Sequence, residues 1–180
     1  GANNYCDMAE NLGYGMGGGT CTEIDLLEAN NHAMQTALHT QTGGKYGSGD
    51  CDKNGCFARV GGPNAPKQLQ NLYGKGKRID SLRPFAVKTS VDSSGELTIT
   101  LSQGDQSVTS FSHRMAGNPQ GAGVPSAAKS GIKASMGKLA LVASIWSAAD
   151  MSWLDGRCHE CDLNDASFTI SNLVVKERTT

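Results

Sequence analysis

Residues 83–113 carry the clearest alternation of apolar and polar positions in the chain. Nearly every second residue there is apolar or β-branched, as in strands that bury one face. Turn sequences at 92–95 and 103–105 divide this stretch, so the pattern predicts three strands of an antiparallel meander. The expected strands are residues 83–91, 96–102 and 107–112.

Further elements are predicted outside the meander. The nearly continuous apolar run at 138–146 is expected to form a central strand, and 166–176 the closing strand. Residues 125–136 predict one short helix, whereas glycine clusters make 30–77 rich in loops. Antiparallel strands joined by glycine turns favour an all-β fold, a jelly-roll β-sandwich with a cleft across its concave sheet.

Length and charge narrow the class of protein. At 180 residues the chain is expected to form a single domain over 1–180. The formal net charge is −1 and the basic residues are dispersed, which gives no electrostatic footprint for nucleic acid or for an anionic membrane. No apolar run reaches the length of a membrane span. A neutral polymer is therefore the better candidate partner.

The six cysteines indicate an oxidising compartment and hence a secreted, extracellular protein. Their even count is compatible with a disulfide framework, although sequence alone does not fix the pairing. Cys158 and Cys161 are separated by two residues, a spacing that zinc knuckles and redox pairs share. A zinc or redox protein is thus an alternative interpretation of this motif.

Three carboxylates lie within six residues of a segment that is otherwise apolar. Glu23 and Asp25 would share one face of a strand, while Ile24 would point into a core. Glu28 follows Glu23 at an odd interval, so a regular strand would turn it to the opposite face. One extra residue near positions 26–27, a β-bulge, would return Glu28 to the face of the other two acids.

Paired carboxylates on one face suit the cleavage of glycosidic bonds. A retaining glycosidase uses one carboxylate as nucleophile and a second, protonated carboxyl about 5–5.5 Å away as acid. Glu28, close to other negative charges, is expected to have a raised pKa. Acidic strings are more often solvated surface, but these acids alternate with Ile24 and Leu26 on a half-buried segment, where unused charge is costly.

Several stretches, in the same order, resemble glycoside hydrolase family 7, the fungal-type cellulases. Residues 21–30 read Cys-Thr-Glu-Ile-Asp-Leu-Leu-Glu-Ala-Asn, similar to the family's Cys-x-Glu-Met-Asp-Ile-Trp-Glu-Ala-Asn. Tyr-Cys-Asp at 5–7, the glycine run at 15–18, and the cysteine-flanked loop at 50–56 also resemble the family. The segments at 139–146, 151–155 and 168–173 resemble its late strands and the Met-x-Trp-Leu-Asp motif between them.

The resemblance implies roles for individual residues. Glu23 would be the nucleophile, Glu28 the acid and then the base, and Asp25 the residue that positions and tunes Glu23. The substrate-binding residues that it implies are His39, Lys45, Trp146, Trp153 and Arg157. Lys45 stands where relatives have an arginine, and a lysine cannot make the same planar, bidentate contact. The two tryptophans would offer flat platforms to sugar rings, with core packing as the alternative.

The resemblance also implies a disulfide between Cys6 and Cys21, which leaves the remaining four cysteines as two short-range pairs. These pairs would be Cys51 with Cys56 and Cys158 with Cys161. The family's long N-terminal portion has no counterpart in this sequence, and removing its strands from a sandwich would expose sheet edges. A compact monomer rebuilt from fewer strands is favoured; a second chain supplying strands and self-association are the alternatives.

The sequence therefore predicts a secreted retaining endo-β-1,4-glucanase that needs no cofactor or metal and acts on cellulose or a related β-glucan. Few aromatic residues and short loops favour an open cleft over a tunnel. A non-catalytic carbohydrate-binding protein on the same fold is the alternative, since Leu27 replaces the family's tryptophan and the N-terminal walls are missing.

Overall fold

A computed structural model describes residues 22–40, 51, 55–149, 151–157 and 162–174 of the chain. Most regular structure in these ranges is β-strand, joined by turns and long loops. The strands are β1 (Glu23–Ala29), β2 (Ala33–His39), β3 (Cys56–Gly61), β4 (Tyr73–Gly74), β5 (Ile79–Asp80), β6 (Ala86–Val91), β7 (Leu97–Gln103) and β8 (Gln106–Ser112). The helices are α1 (Ser126–Ser135), α2 (Ser152–Asp155) and a 3₁₀ turn at Lys67–Leu69.

Two antiparallel three-stranded sheets form the framework. One has the order β1-β2-β3 and the other β6-β7-β8, while β4 and β5 form a short parallel pair. The second sheet is the predicted meander, with the expected strands in the expected order. The predicted short helix is also confirmed as α1. This antiparallel, loop-rich architecture confirms the all-β prediction.

An apolar core in the described part of the chain contains residues from both sheets. Met34 and Val60 of the first sheet belong to the same buried cluster as Ile99 and Phe111 of the second. Helix α1 adds Ile132, together with Ala128 one turn earlier, because residues four apart lie on one face of a helix. The core thus covers the face of the β1-β2-β3 sheet that carries Met34 and Val60.

Strand β1 contains the predicted bulge. Asp25 lies opposite Ala37 and Glu28 lies opposite Gln35, so three steps along β1 match two steps along β2. The register shift falls between Asp25 and Glu28, where the sequence predicted it. The extra residue in this interval leaves the side chain of Leu27 44% exposed.

The predicted strands at 138–146 and 166–176 are wrong for the residues that the structure describes. Residues 138–146 contain no regular strand, and Leu141 is 76% exposed. Residues 166–174 likewise form no strand, and Ile170 is 59% exposed. A strand is stable only when a neighbour pairs with its backbone, and an apolar run predicts a preference for burial without specifying that neighbour.

The disulfide between Cys51 and Cys56 confirms one predicted pair and anchors the start of β3. Cys6, Cys21, Cys158 and Cys161 lie outside the described residues, as does Lys45. None of the helices in the described ranges is long and apolar enough to cross a membrane.

Candidate active site

The three predicted carboxylates share one face of the β1-β2-β3 sheet. Their partners across β2 are His39 for Glu23, Ala37 for Asp25 and Gln35 for Glu28. These partners alternate along β2, and directly opposed residues in an antiparallel pair point to the same side. The bulge therefore brings Glu28 onto the face that carries the other two acids.

Asp25 is held by a histidine from the neighbouring strand. His39 Nε2 lies 3.1 Å from Asp25 Oδ2. Gly55 packs against the imidazole, since a Cβ atom there would lie 2.7 Å from His39 Cε1. The resemblance implied that His39 binds substrate, and the structure places it beside Asp25.

Glu28 has the electrostatics of a general acid. Burial is the main reason that its pKa rises from 4.5 to about 7, and the charge on Asp25 adds to the effect. A hydrogen bond from Gln35 and the charge on His39 act in the opposite direction, while Glu23 raises the pKa slightly. A carboxyl with this pKa remains largely protonated at mildly acidic pH, where it can donate its proton.

Two further residues, neither of them predicted, are linked to this acid, one directly and one through the other. Gln35 Nε2 donates a hydrogen bond to Glu28 Oε2 at 3.2 Å, and Arg59 Nη2 donates to Gln35 Oε1 at 2.6 Å. Gln35 is 7% exposed within a strand whose other residues are mostly apolar. A polar residue inside such a run requires a partner, and this was the available signal.

The two tryptophans lie next to each other. The rings of Trp146 and Trp153 are stacked, with centroids 6.5 Å apart and planes 26° apart. The Arg59 guanidinium lies 5.6 Å from the Trp153 ring centroid and 5.2 Å from that of Phe57. Arg59 therefore connects the aromatic pair to the carboxylate face through Gln35.

Helix α2 is tied to the end of β1, which fixes where Trp153 lies. Asp155, in the same helix, is buried and accepts a hydrogen bond from Asn30 Nδ2 at 2.9 Å. Asn64 Nδ2 donates to the carbonyl oxygens of Ser152 and Trp153 at 2.8 and 3.1 Å. The bond from Asn30 links the Met-x-Trp-Leu-Asp motif to the end of the strand that carries the acids, and the bonds from Asn64 link the motif to the loop after β3.

Arg157 lies in a separate, basic cleft at the turn between β1 and β2. Its Nη1 atom is 3.5 Å from His32 Nε2. The cleft has a volume of about 260 Å³, and its walls include Lys75 and Lys77. Arg157 follows Trp153 in the chain. None of the contacts described above for Glu23, Asp25 and Glu28 involves Arg157.

Among the residues that the structure describes, no group of three or more histidine, cysteine, aspartate and glutamate side chains is arranged to hold a metal ion. The alternative zinc or redox site rests on Cys158 and Cys161, which lie outside the described ranges.

Comparison with known proteins identifies the class of protein to which the chain belongs. The sequence model of glycosyl hydrolase family 7 matches residues 2–107, which is more than half of the chain. The chain belongs to this family, and the resemblance seen in its motifs is confirmed.

A particular relative is Endoglucanase 1 of Humicola insolens, which is 36% identical over 83 residues. The match covers 40% of this chain and 20% of the relative, so the chain spans about a fifth of that protein's length. No solved structure matches the chain significantly.

Proposed function

We propose that this protein is a secreted glycoside hydrolase that cleaves internal β-1,4-glucosidic bonds of cellulose or a related β-glucan with retention of configuration. The observation that carries the proposal is the bulged strand β1, which puts Glu23, Asp25 and Glu28 on one face. Membership of glycosyl hydrolase family 7 and a relative named an endoglucanase support the same reaction.

In the first step, a carboxylate oxygen of Glu23 attacks the anomeric carbon while Glu28 gives its proton to the departing glycosidic oxygen. The bond between carbon and oxygen breaks, and a covalent glycosyl-enzyme is formed on Glu23. Glu28, now ionised, takes a proton from water, and the resulting hydroxide attacks the same carbon and releases Glu23. The raised pKa of Glu28 supports the acid role, and Asp25, fixed by His39, positions the nucleophile.

The substrate would lie across the carboxylate face and against the tryptophans. Trp146, which is 46% exposed and stacked on Trp153, has the flat apolar surface that stacks against a pyranose ring, and Arg59 lies over Trp153. His39 and Arg157 are the proposed polar contacts, together with Lys45. Few aromatic residues and short loops favour an open cleft, which suits attack within a chain, and a monomer would suffice. No cofactor takes part in either step.

The test is the release of reducing ends from carboxymethyl cellulose and barley glucan by the wild type and by Glu23→Gln. We expect activity in the wild type and its loss, by about 10³-fold or more, in the variant. Glu96→Gln is a matched control, because Glu96 bonds Lys129 near the start of the other sheet. Proton NMR of the first product would show the β-anomer if configuration is retained.

An inactive wild type that still binds both polymers would contradict the hydrolase proposal. That result would instead establish the alternative, a non-catalytic carbohydrate-binding protein. The presence of Leu27 in place of the family's tryptophan is compatible with this alternative. Loss of activity in Glu96→Gln as well as in Glu23→Gln would remove the assignment of Glu23.

A further inference from the structure

We propose that Gln35 and Arg59 form a positioning pair that determines which oxygen of Glu28 carries the acidic proton. This inference rests on the proposed function, because it concerns the acid of that reaction. It is carried by two consecutive hydrogen bonds, from Arg59 Nη2 to Gln35 Oε1 at 2.6 Å and from Gln35 Nε2 to Glu28 Oε2 at 3.2 Å.

The chemistry of the three groups fixes the direction of both bonds. A guanidinium has only donors, so the amide oxygen of Gln35 must face Arg59. The amide nitrogen, which can only donate, must then face Glu28. Oε2 of Glu28 is therefore an acceptor whether or not the carboxyl is protonated, and the proton is carried by Oε1.

Arg59 is itself fixed at several points. Its backbone exchanges two hydrogen bonds with the side chain of Gln120, at 3.0 and 3.2 Å. Its guanidinium lies over the rings of Phe57 and Trp153. Arg59 is fixed through both its backbone and its side chain, so it can keep the Gln35 amide in one orientation. Little further conformational entropy is lost when substrate binds.

The pair also acts on the electrostatics of the acid. Asp25 and Glu23 disfavour the ionised form of Glu28, whereas His39 and the Gln35 hydrogen bond favour it. Arg59 adds a positive charge behind the amide and strengthens its donation. Without Arg59, Gln35 could rotate its amide and accept the proton of Glu28, which would then point away from the substrate.

The decisive variants are Gln35→Leu, Arg59→Met and the double variant, with the carboxyl carbon of Glu28 titrated by ¹³C NMR. Loss of the hydrogen bond should raise the pKa of Glu28 by about one pH unit in Gln35→Leu. Arg59→Met should also raise the pKa of Glu28. The double variant should shift the pKa of Glu28 by less than the sum of the two single shifts, because part of the effect of Arg59 passes through the Gln35 bond while its charge also acts on Glu28 directly.

The chain offers a matched control pair. Arg78 Nε donates a hydrogen bond to Gln106 Oε1 at 3.0 Å. This bond joins the same two residue types near β8, away from the carboxylates. Gln106→Leu and Arg78→Met should leave the Glu28 titration unchanged. If Gln35→Leu does not fold, Gln35→Met, which keeps the length and flexibility of the side chain, replaces it in the same experiment.

Activity provides a second readout. We expect kcat on barley glucan to fall about tenfold in Gln35→Leu with little change in KM, and the alkaline limb of the kcat profile to move to higher pH. An unchanged Glu28 titration in Gln35→Leu, or additive changes in the double variant, would overturn the positioning pair. Because NMR detects Glu28 without turnover, these results decide the pair even if an inactive wild type refutes the proposed hydrolase.

Discussion

Glu28 should make the protein less stable as the pH rises, and Glu28→Gln should remove that effect. The pKa of Glu28 is raised in the folded protein from 4.5 to about 7, chiefly by burial. Between these pH values the unfolded chain has released the proton while the folded protein still holds it. The free energy of unfolding therefore falls with rising pH in this window and levels off above it.

The magnitude follows from the size of the shift. A change from 4.5 to about 7 corresponds to about 3 kcal/mol. Glu28 is only partly buried, and solvent around the carboxylate reduces the effect, so we expect about 2 kcal/mol. Glutamine has the same shape, stays neutral at every pH and can still accept the hydrogen bond from Gln35.

The assay is urea denaturation of the wild type and Glu28→Gln at pH 4, 5.5 and 8. The two proteins should differ least at pH 4, and the variant should be more stable by about 2 kcal/mol at pH 8. Titrating groups that do not interact with Glu28 affect both proteins alike, so the difference reports Glu28 together with its coupling to Asp25, His39 and Glu23. Glu96→Gln serves as a control for removing a carboxylate elsewhere. Parallel stability curves for the wild type and Glu28→Gln across this pH range would refute the reasoning.

Two further predictions concern packing. Ile99→Ala should lower the free energy of unfolding by about 2–5 kcal/mol because Ile99 is fully buried. Leu141→Ser should change it by less than about 0.5 kcal/mol because Leu141 is 76% exposed. Equal losses of stability in urea denaturation would contradict the structure. Gly55→Ala should cost about 1–2 kcal/mol for its backbone alone, since φ is +69°. The added methyl group would also displace His39, so an unshifted NMR signal for that imidazole would argue against this packing.

The elements governed by local pattern were the ones that the sequence predicted well. The meander alternates with a period of two, and turn residues separate its strands, so β6, β7 and β8 were expected in their observed order. The bulge followed from the odd interval between Glu23 and Glu28 on a half-buried strand. Both inferences depend only on neighbours in sequence.

The missed features depend on neighbours in space. The run at 138–146 was apolar enough for a central strand, yet no described strand pairs with it. The contact of Gln35 with Glu28 requires the register of β1 against β2, and that of Arg59 with Gln35 requires the register of β2 against β3. The Cys51–Cys56 pair was anticipated because the family resemblance assigned Cys6 to Cys21 and left Cys51 and Cys56 as a short-range pair, whereas the place of His39 beside Asp25 could not be anticipated.

The bulge in β1 has a consequence for how related active sites are compared. Asp25 and Glu28 face Ala37 and Gln35, so their places in the sheet are set by positions on β2 and not by the number of residues between the acids. A chain without the residue at Leu27 could present the same carboxyls in the same order from an unbulged strand. An alignment by the interval between the acids would place equivalent carboxyls at different positions. An alignment by the facing residues of β2 would place them at the same position.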